Sequence, residues 1–447
     1  MNKEISILLQ RHFRTALIVM LQLIMAVSLT ACLSLGNLFG DEEEEEKLPG
    51  FREPVVQNQN SALGAEFRAN GPVVISQAYA NPNWAQPGGT ANNAPSHLVA
   101  GQNLKRVWKS SGGAGSSNQG RLTAPPIIAA GRAYIIDARA TVRAYSLSSG
   151  KQIWTANLTP EKEEAEEGYG GGVAFEDGRL FAATGFGDVY GLDPASGKAL
   201  WKKSLSVPIR IAPIASQGRV YVTPVNNEVY ALSSFDGSIR WQKTGGEESA
   251  GKLGSTSPAV ASDTLVVPFS SGEIFTYKTI DGQLMWDESL TTGGAFRGSA
   301  GLKNVSARPI ISKGLVISMG VSGKIAAYKL RTGERVWSRK ISGSETPAVS
   351  GDNIFLIDAN NKLIALRLSN GKTFWEKELP EGLWMGPVLA GGRLMVVSST
   401  GTLLNINVSD GNTISQLNLD NNIATAPVIA SGTVYFLTSG ASLIAMR

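Results

Sequence analysis

APIASQGRVYVTPVNNEVYALSSFDGSIRWQK, residues 212–243, decides the fold. Four short runs alternate apolar and polar residues (212–216, 219–224, 228–233 and 238–243), and Gly, Asn or Asp marks each break. Alternation of period two over five or six residues, bounded by turn formers, predicts four antiparallel strands joined by tight turns. The unit contains no stretch of ten residues with helical periodicity, which excludes helical repeats.

The unit recurs. Numbered from a small residue, it carries glycine seventh and tryptophan eleventh: Ala144, Gly150, Trp154; Gly191, Gly197, Trp201; Ala231, Gly237, Trp241; Thr276, Gly282, Trp286; Ala327, Gly333, Trp337; Ala365, Gly371, Trp375. A seventh copy has Asn405, Gly411 and Ser415 in place of tryptophan, and an eighth begins at Ala445 without its glycine or tryptophan. At the other end, Trp108 closes a strand that has no unit before it. Four-stranded units at a period of about 43 residues imply an all-β, eight-bladed β-propeller of antiparallel blades. Residues 104–108 should then supply the outer edge of the sheet whose other strands lie beyond Ala426, closing the ring by pairing the N- and C-terminal segments.

That architecture gives the tryptophans a structural task. The small first residue leaves room, the seventh glycine permits a tight turn, and the indole can fill the gap to the adjoining blade. A buried indole N–H needs an acceptor, which a neighbouring backbone carbonyl could supply. Trp108, Trp154, Trp201, Trp241, Trp286, Trp337 and Trp375 are therefore assigned as docking residues; a single active centre would not require seven copies.

Outside the repeat, the 447-residue chain divides further. Residues 1–31 combine a basic start (Lys3, Arg11, Arg14) with an apolar run from Ala16 to Val27, and small residues precede Cys32, as in a secretory signal. Residues 32–72 are polar and include the acidic run DEEEEEK, residues 41–47, expected to be a solvated, self-repelling tether. Residues 73–103 form a lead-in segment whose Trp84 should pack on the propeller of residues 104–447.

Composition removes several chemistries. Cys32 is the single cysteine, so no disulfide, thiolate or cysteine-held metal is expected elsewhere. The formal charge of +4 falls to about +2 without the leader, which is no nucleic-acid footprint. With His12 in the leader, His97 is the sole histidine left, too few for a serine triad or a histidine metal cluster. His97 is expected to be a surface or packing residue, with no catalytic residue, metal or cofactor.

The residues around Cys32 resemble the lipobox of bacterial lipoproteins. The resemblance implies cleavage before Cys32, lipidation of its sulfur and new amino group, and, with Leu33 following, an outer-membrane destination facing the periplasm of a Gram-negative bacterium. The eleven-residue unit resembles the tryptophan-docking motif of the pyrroloquinoline quinone (PQQ) propeller repeat family. That family holds both PQQ-dependent dehydrogenases and scaffolds without catalysis, and the dehydrogenases use adjacent cysteines that this chain lacks.

Lipobox, acidic stalk and bare ring together resemble the BamB family of outer-membrane β-barrel assembly (BAM) lipoproteins. The resemblance implies a non-catalytic scaffold, a monomer within a hetero-complex, that binds the periplasmic domains of BamA alongside other BAM subunits and aids unfolded outer-membrane protein clients. A PQQ-dependent periplasmic dehydrogenase-like protein and a scaffold of another envelope complex remain as alternatives.

Partner contacts are expected on the connections from one blade's tryptophan strand to the next blade's first strand, which share one face of the ring. Long ones follow Trp154, Trp241 and Trp286. Carried over by position, the BamA contact of the family falls near Lys252, Leu253, Asn304 and Ser306, with Arg297 and Arg308 supplying charge. The sequence departs from the enteric pattern at Leu253, Asn304 and Ser306. A second expectation concerns the uncharged outer strand NTISQLNL, residues 412–419, as an edge onto which an extended client could add by β-augmentation.

Overall fold

The computed structural model describes residues 67–117, 120–245, 256–269, 272–290, 307–321 and 323–447. Cys32, the acidic run, and the loop residues Lys252, Leu253, Arg297, Asn304 and Ser306 lie outside them. All that follows concerns the unit Asn60–Arg447.

Among the described residues there are 32 strands and no helix, in eight separate four-stranded sheets whose pairings are all antiparallel. Seven blades run in chain order: residues 127–157, 171–204, 214–244, 259–289, 310–339, 348–378 and 384–418. The eighth takes three strands from residues 428–446 and its outer strand, Arg106–Ser111, from the other end of the described chain. Trp108 faces Ala445 and Lys109 faces Ile444, while Lys105 and Arg447 exchange backbone hydrogen bonds of 2.8 and 2.9 Å. The ring closes as the half-units at the two ends of the repeat predict.

The repeat maps onto register. In every blade the first residue of the unit sits opposite the eleventh: Ala144 faces Trp154, Gly191 faces Trp201, and Asn405 faces Ser415. In blade two the indole sits close enough to require glycine opposite it, since a Cβ at Gly191 would lie 2.3 Å from Trp201 Nε1; the other tryptophans face alanine or Thr276. The indole N–H then donates to a carbonyl at the fourth position of the next unit: Trp108 to Leu147 (2.8 Å), Trp154 to Pro194 (3.0 Å), Trp201 to Ser234 (3.1 Å) and Trp241 to Thr279 (3.0 Å). Trp286, Trp337 and Trp375 repeat this with Leu330, Leu368 and Val408. The indole face covers the seventh-position glycine of that same unit, Trp154 over Gly197 for example, where φ is +75°. Each tryptophan thus spans two blades, joining its own outer strand to its neighbour's last turn.

Blade seven departs from this pattern. Asn405 donates to Ser415 Oγ (3.0 Å) and accepts from Arg393 Nε (2.7 Å); Arg393 Nη2 reaches the Gly101 carbonyl (2.6 Å) just before the closing strand. Arg393 is 2% exposed, so a buried guanidinium network links blades seven and eight where an indole links the others.

The lead-in segment enters the ring. Innermost strands leave one edge unpaired toward the axis, and residues 74–98 satisfy edges from all eight blades. Trp84 exchanges backbone hydrogen bonds with Ile128 in blade one, and Ala85 accepts from Phe175 in blade two. The Gln86 amide bridges Phe175 and Ala215 of blades two and three. Ala91 accepts from Val260 and Asn92 from Ile311, in blades four and five. Ser76 pairs with Ser350 in blade six, Leu98 with Leu389 and Gly391 in blade seven, and Asn81 with Ile429 and Ser431 in blade eight. Buried amides keep this affordable, because each edge group would otherwise lose its partner out of water. His97 is 6% exposed. Its Nε2 accepts from Gly392 N (2.8 Å), which makes Nδ1 the donor to the Ser76 carbonyl (2.7 Å).

Candidate functional site

Six of the eight innermost strands are preceded by proline, Pro126, Pro213, Pro258, Pro309, Pro347 and Pro427, and that of blade seven, Trp384–Ala390, carries Pro387 at the equivalent register. Proline has no N–H to leave unpaired at an axial edge and pre-sets an extended approach. Blade two has Val173 at the corresponding register. The chain therefore enters each blade along the wall of an axial funnel, on the face that carries the long connections.

The lead-in segment blocks this funnel from within. Above it remains a cavity of about 400 Å³, lined from below by Trp84, Asn93 and Pro95 and from the sides by Thr123, Ser257, Arg308, Glu345 and Thr425. Its size suits a small ligand or a short peptide, and the plug excludes threading of a chain through the ring. Arg308 Nη1 and the Arg308 backbone N–H both point at Thr346 Oγ1, at 3.5 and 3.2 Å. Glu345 accepts from Gly386 N–H at 3.2 Å. Both residues are half-buried in the cavity wall. Burial raises the Glu345 carboxyl above its ordinary range, against the lowering effects of Gly386 N–H and Arg308, and pulls the Arg308 guanidinium down.

Of the six residues expected to contact a partner, the structure describes Arg308 alone, and it places this side chain in the funnel wall. The connections 246–255 and 291–306, which carry the other five, join blade three to four and blade four to five. They return to the sheet at Thr256 and Ala307, beside the cavity-lining Ser257 and Arg308. The seven tryptophans occupy blade junctions away from the cavity-lining set. Sequence reasoning missed the funnel and its plug; the proline recurring at one register in seven of the eight inner strands was the available signal.

The outer strand of blade seven, Thr413–Asn418, is exposed over most of its length, with Ile414 58% accessible. Charge alone does not single it out, since Gln152–Asn157 of blade one is equally uncharged. The chain itself shows that such edges accept a strand. Ala69 donates to the Thr373 carbonyl (2.8 Å) and Thr373 donates to that of Phe67 (2.7 Å), at the edge of blade six. Phe67 also lies under the Arg339 guanidinium, 4.5 Å from its ring centroid. Among the described residues no three His, Cys, Asp or Glu side chains gather as a metal site.

Comparison with known proteins agrees with this architecture. The sequence profile of the family described as outer membrane protein assembly factor BamB matches residues 138–377 and 371–447. BamB of Yersinia pestis is 26% identical over 248 residues, which span 55% of this chain and 63% of that protein, short of two thirds of its length. BamB of Escherichia coli K12 is 28% identical over 289 residues, spanning 63% and 73%. The crystal structure of BamB from Moraxella catarrhalis superposes with a TM-score of 0.64 at 18% identity, over 77% of this chain and 98% of that one. Quinohemoprotein alcohol dehydrogenase from Comamonas testosteroni superposes with a TM-score of 0.68 at 13% identity, over 83% and 81%. At these identities the structural likeness is one of fold.

Proposed function

The chain belongs to the outer membrane protein assembly factor BamB family, and on that premise we propose that it is a non-catalytic scaffold of the β-barrel assembly machinery. In this reading Cys32 carries the lipid, the acidic stretch spaces the ring from the outer membrane, and the propeller works on the periplasmic side. The funnel face binds the periplasmic domains of BamA through the connections that hold Lys252, Leu253, Arg297, Asn304 and Ser306, with Arg308 at their base. The exposed edge of blade seven offers an extended client a strand to pair with. The family match over most of the ring carries the reading. The sole described histidine supports its non-catalytic part, because backbone groups occupy both ring nitrogens of His97.

The test is co-purification of BamA from detergent-solubilised envelope with the full chain. Leu253→Asp combined with Arg297→Glu should reduce recovery of BamA at least fivefold while circular dichroism of the ring stays unchanged. Arg308 is left intact in this variant, since a glutamate there would face Glu345 inside the funnel and endanger folding. Full recovery of BamA by the variant would refute the loop contact. No BamA with the parent chain, or dye-linked alcohol oxidation after reconstitution with PQQ and calcium, would refute the scaffold assignment.

A further inference from the structure

At the level just before the inner-strand proline, seven blades place a residue without charge: Pro125, Gly172, Ala212, Ser257, Thr346, Gly386 and Ala426. Blade five places Arg308 there. Among the described residues it is the only basic side chain lining the cavity, and Glu345 is the only acidic one. The two make no ion pair within 4.0 Å. Arg308 Nη1 has a single long hydrogen bond to Thr346, and the buried Arg308 Nε has no partner. Glu345 is turned to its own blade boundary, held by Gly386 N–H. Three further buried polar atoms lacking partners belong to residues around the same cavity, Trp84 Nε1, Asn93 Oδ1 and Thr425 Oγ1; others, such as Arg132 Nε and Arg219 Nε, lie elsewhere in the ring.

A guanidinium withdrawn from water is strongly destabilising unless an anion and hydrogen bonds compensate it. Its planar fork matches a carboxylate in bidentate geometry. A half-open cavity of about 400 Å³, floored by the lead-in segment and carrying one fork of this kind among its described lining, has the form of a carboxylate receptor. We propose that the axial cavity binds a carboxylate, held by Arg308 and seated on the plug, supplied either by the C-terminus of a peptide or by a small organic acid. Arg308 also stands at the base of the connections assigned to BamA, so the test below reads carboxylate binding directly and not through that contact.

Calorimetric titration of the full chain in detergent tests this with three probes: acetyl-Ala-Ala-Ala as the free acid, the same peptide as its C-terminal amide, and acetate. The free acid should bind at least tenfold more tightly than the amide. Arg308→Gln should weaken acid binding at least tenfold and leave the amide unaffected, with Arg308→Lys intermediate because it keeps charge without the fork. Acid peptide bound well above acetate identifies a chain terminus, and comparable binding of the two identifies a small acid. Equal affinity for acid and amide, no binding of either acid, or unchanged binding by Arg308→Gln overturns the proposal. Should Arg308→Gln fail to fold, the acid-against-amide comparison on the parent chain decides alone.

Discussion

Trp154 and Gly197 should behave as one unit in stability measurements. Trp154 is 9% exposed, packs near Tyr134 at 5.9 Å between ring centroids, and donates to the Pro194 carbonyl at 3.0 Å. Trp154→Ala is expected to destabilise by about 3–5 kcal/mol, from lost burial and the void between blades one and two. Gly197→Ala acts twice over. At φ +75° an alanine carries about 1 kcal/mol of strain, and its Cβ would stand 2.5 Å from Trp154 Cε3, adding roughly 1–3 kcal/mol of overpacking. When Trp154 is already alanine the clash disappears and only the strain remains. The double variant should then be more stable than the sum of single losses by about 1–3 kcal/mol, a positive coupling of neighbours. Equilibrium urea unfolding of the four proteins measures this cycle. Additivity within about 0.5 kcal/mol would refute the peg-and-glycine account of the repeat.

Three other expectations follow from the same structure. Ile444→Pro removes ladder hydrogen bonds from a strand paired on both sides and should destabilise by more than about 3 kcal/mol, opening the ring at Arg106–Ser111; limited proteolysis should cut first between blades eight and one. Arg393→Met leaves the Gly101 carbonyl and Asn405 Oδ1 without their donor, and a loss of about 3 kcal/mol in urea unfolding is expected. Glu345→Gln should change how stability depends on pH. The folded carboxyl titrates above its ordinary 4.5, so the native state holds its proton where the unfolded chain has lost it. Its stabilising effect is complete below that ordinary value and disappears as pH rises through the folded pKa. The parent should lose stability across this window relative to Glu345→Gln, and parallel pH profiles would refute the burial of Glu345.

Much of this fold is legible because every level of the sequence repeats the same instruction. Alternation sets the strands, Gly and Asn the turns, and the spacing of Ala144, Gly150 and Trp154 fixes both register and the contact to the next blade. The ring closure was legible from a tryptophan strand without a unit before it. The packing of Trp84 was legible too, but the axial path of the lead-in segment was not, because its bonds are irregular and long-range. Gln86, Asn92 and Asn93 carry no periodic signal, and each finds carbonyls that only the completed ring brings together. The funnel was hidden for a similar reason. Arg308 reads as a loop charge in one dimension, and it becomes a solitary half-buried fork in the cavity wall only when blade five is set beside the uncharged positions of the other seven.

The missing tryptophan of the seventh unit has its explanation in the closure itself. A docking indole needs two things from the next blade, a carbonyl at position four and a glycine at position seven, and both lie on the turn joining the third strand to the outer strand. Blade eight has no such turn, because its third strand, Ser442–Met446, and its outer strand, Arg106–Ser111, come from opposite ends of the ring sequence. An indole at Ser415 would have no docking site. With the eleventh position small, the first can be larger, and Asn405 stands where glycine, alanine or threonine faces an indole elsewhere. Arg393 then extends that polar pair to Gly101 and ties blade seven to the strand that completes blade eight. Trp108, on the closing strand, resumes the ordinary pattern into blade one through Leu147 and Gly150. Seven tryptophans in eight blades are therefore the number that a ring closed between β-strands permits, and the departures at Asn405 and Ser415 are consequences of closure rather than decay of the repeat.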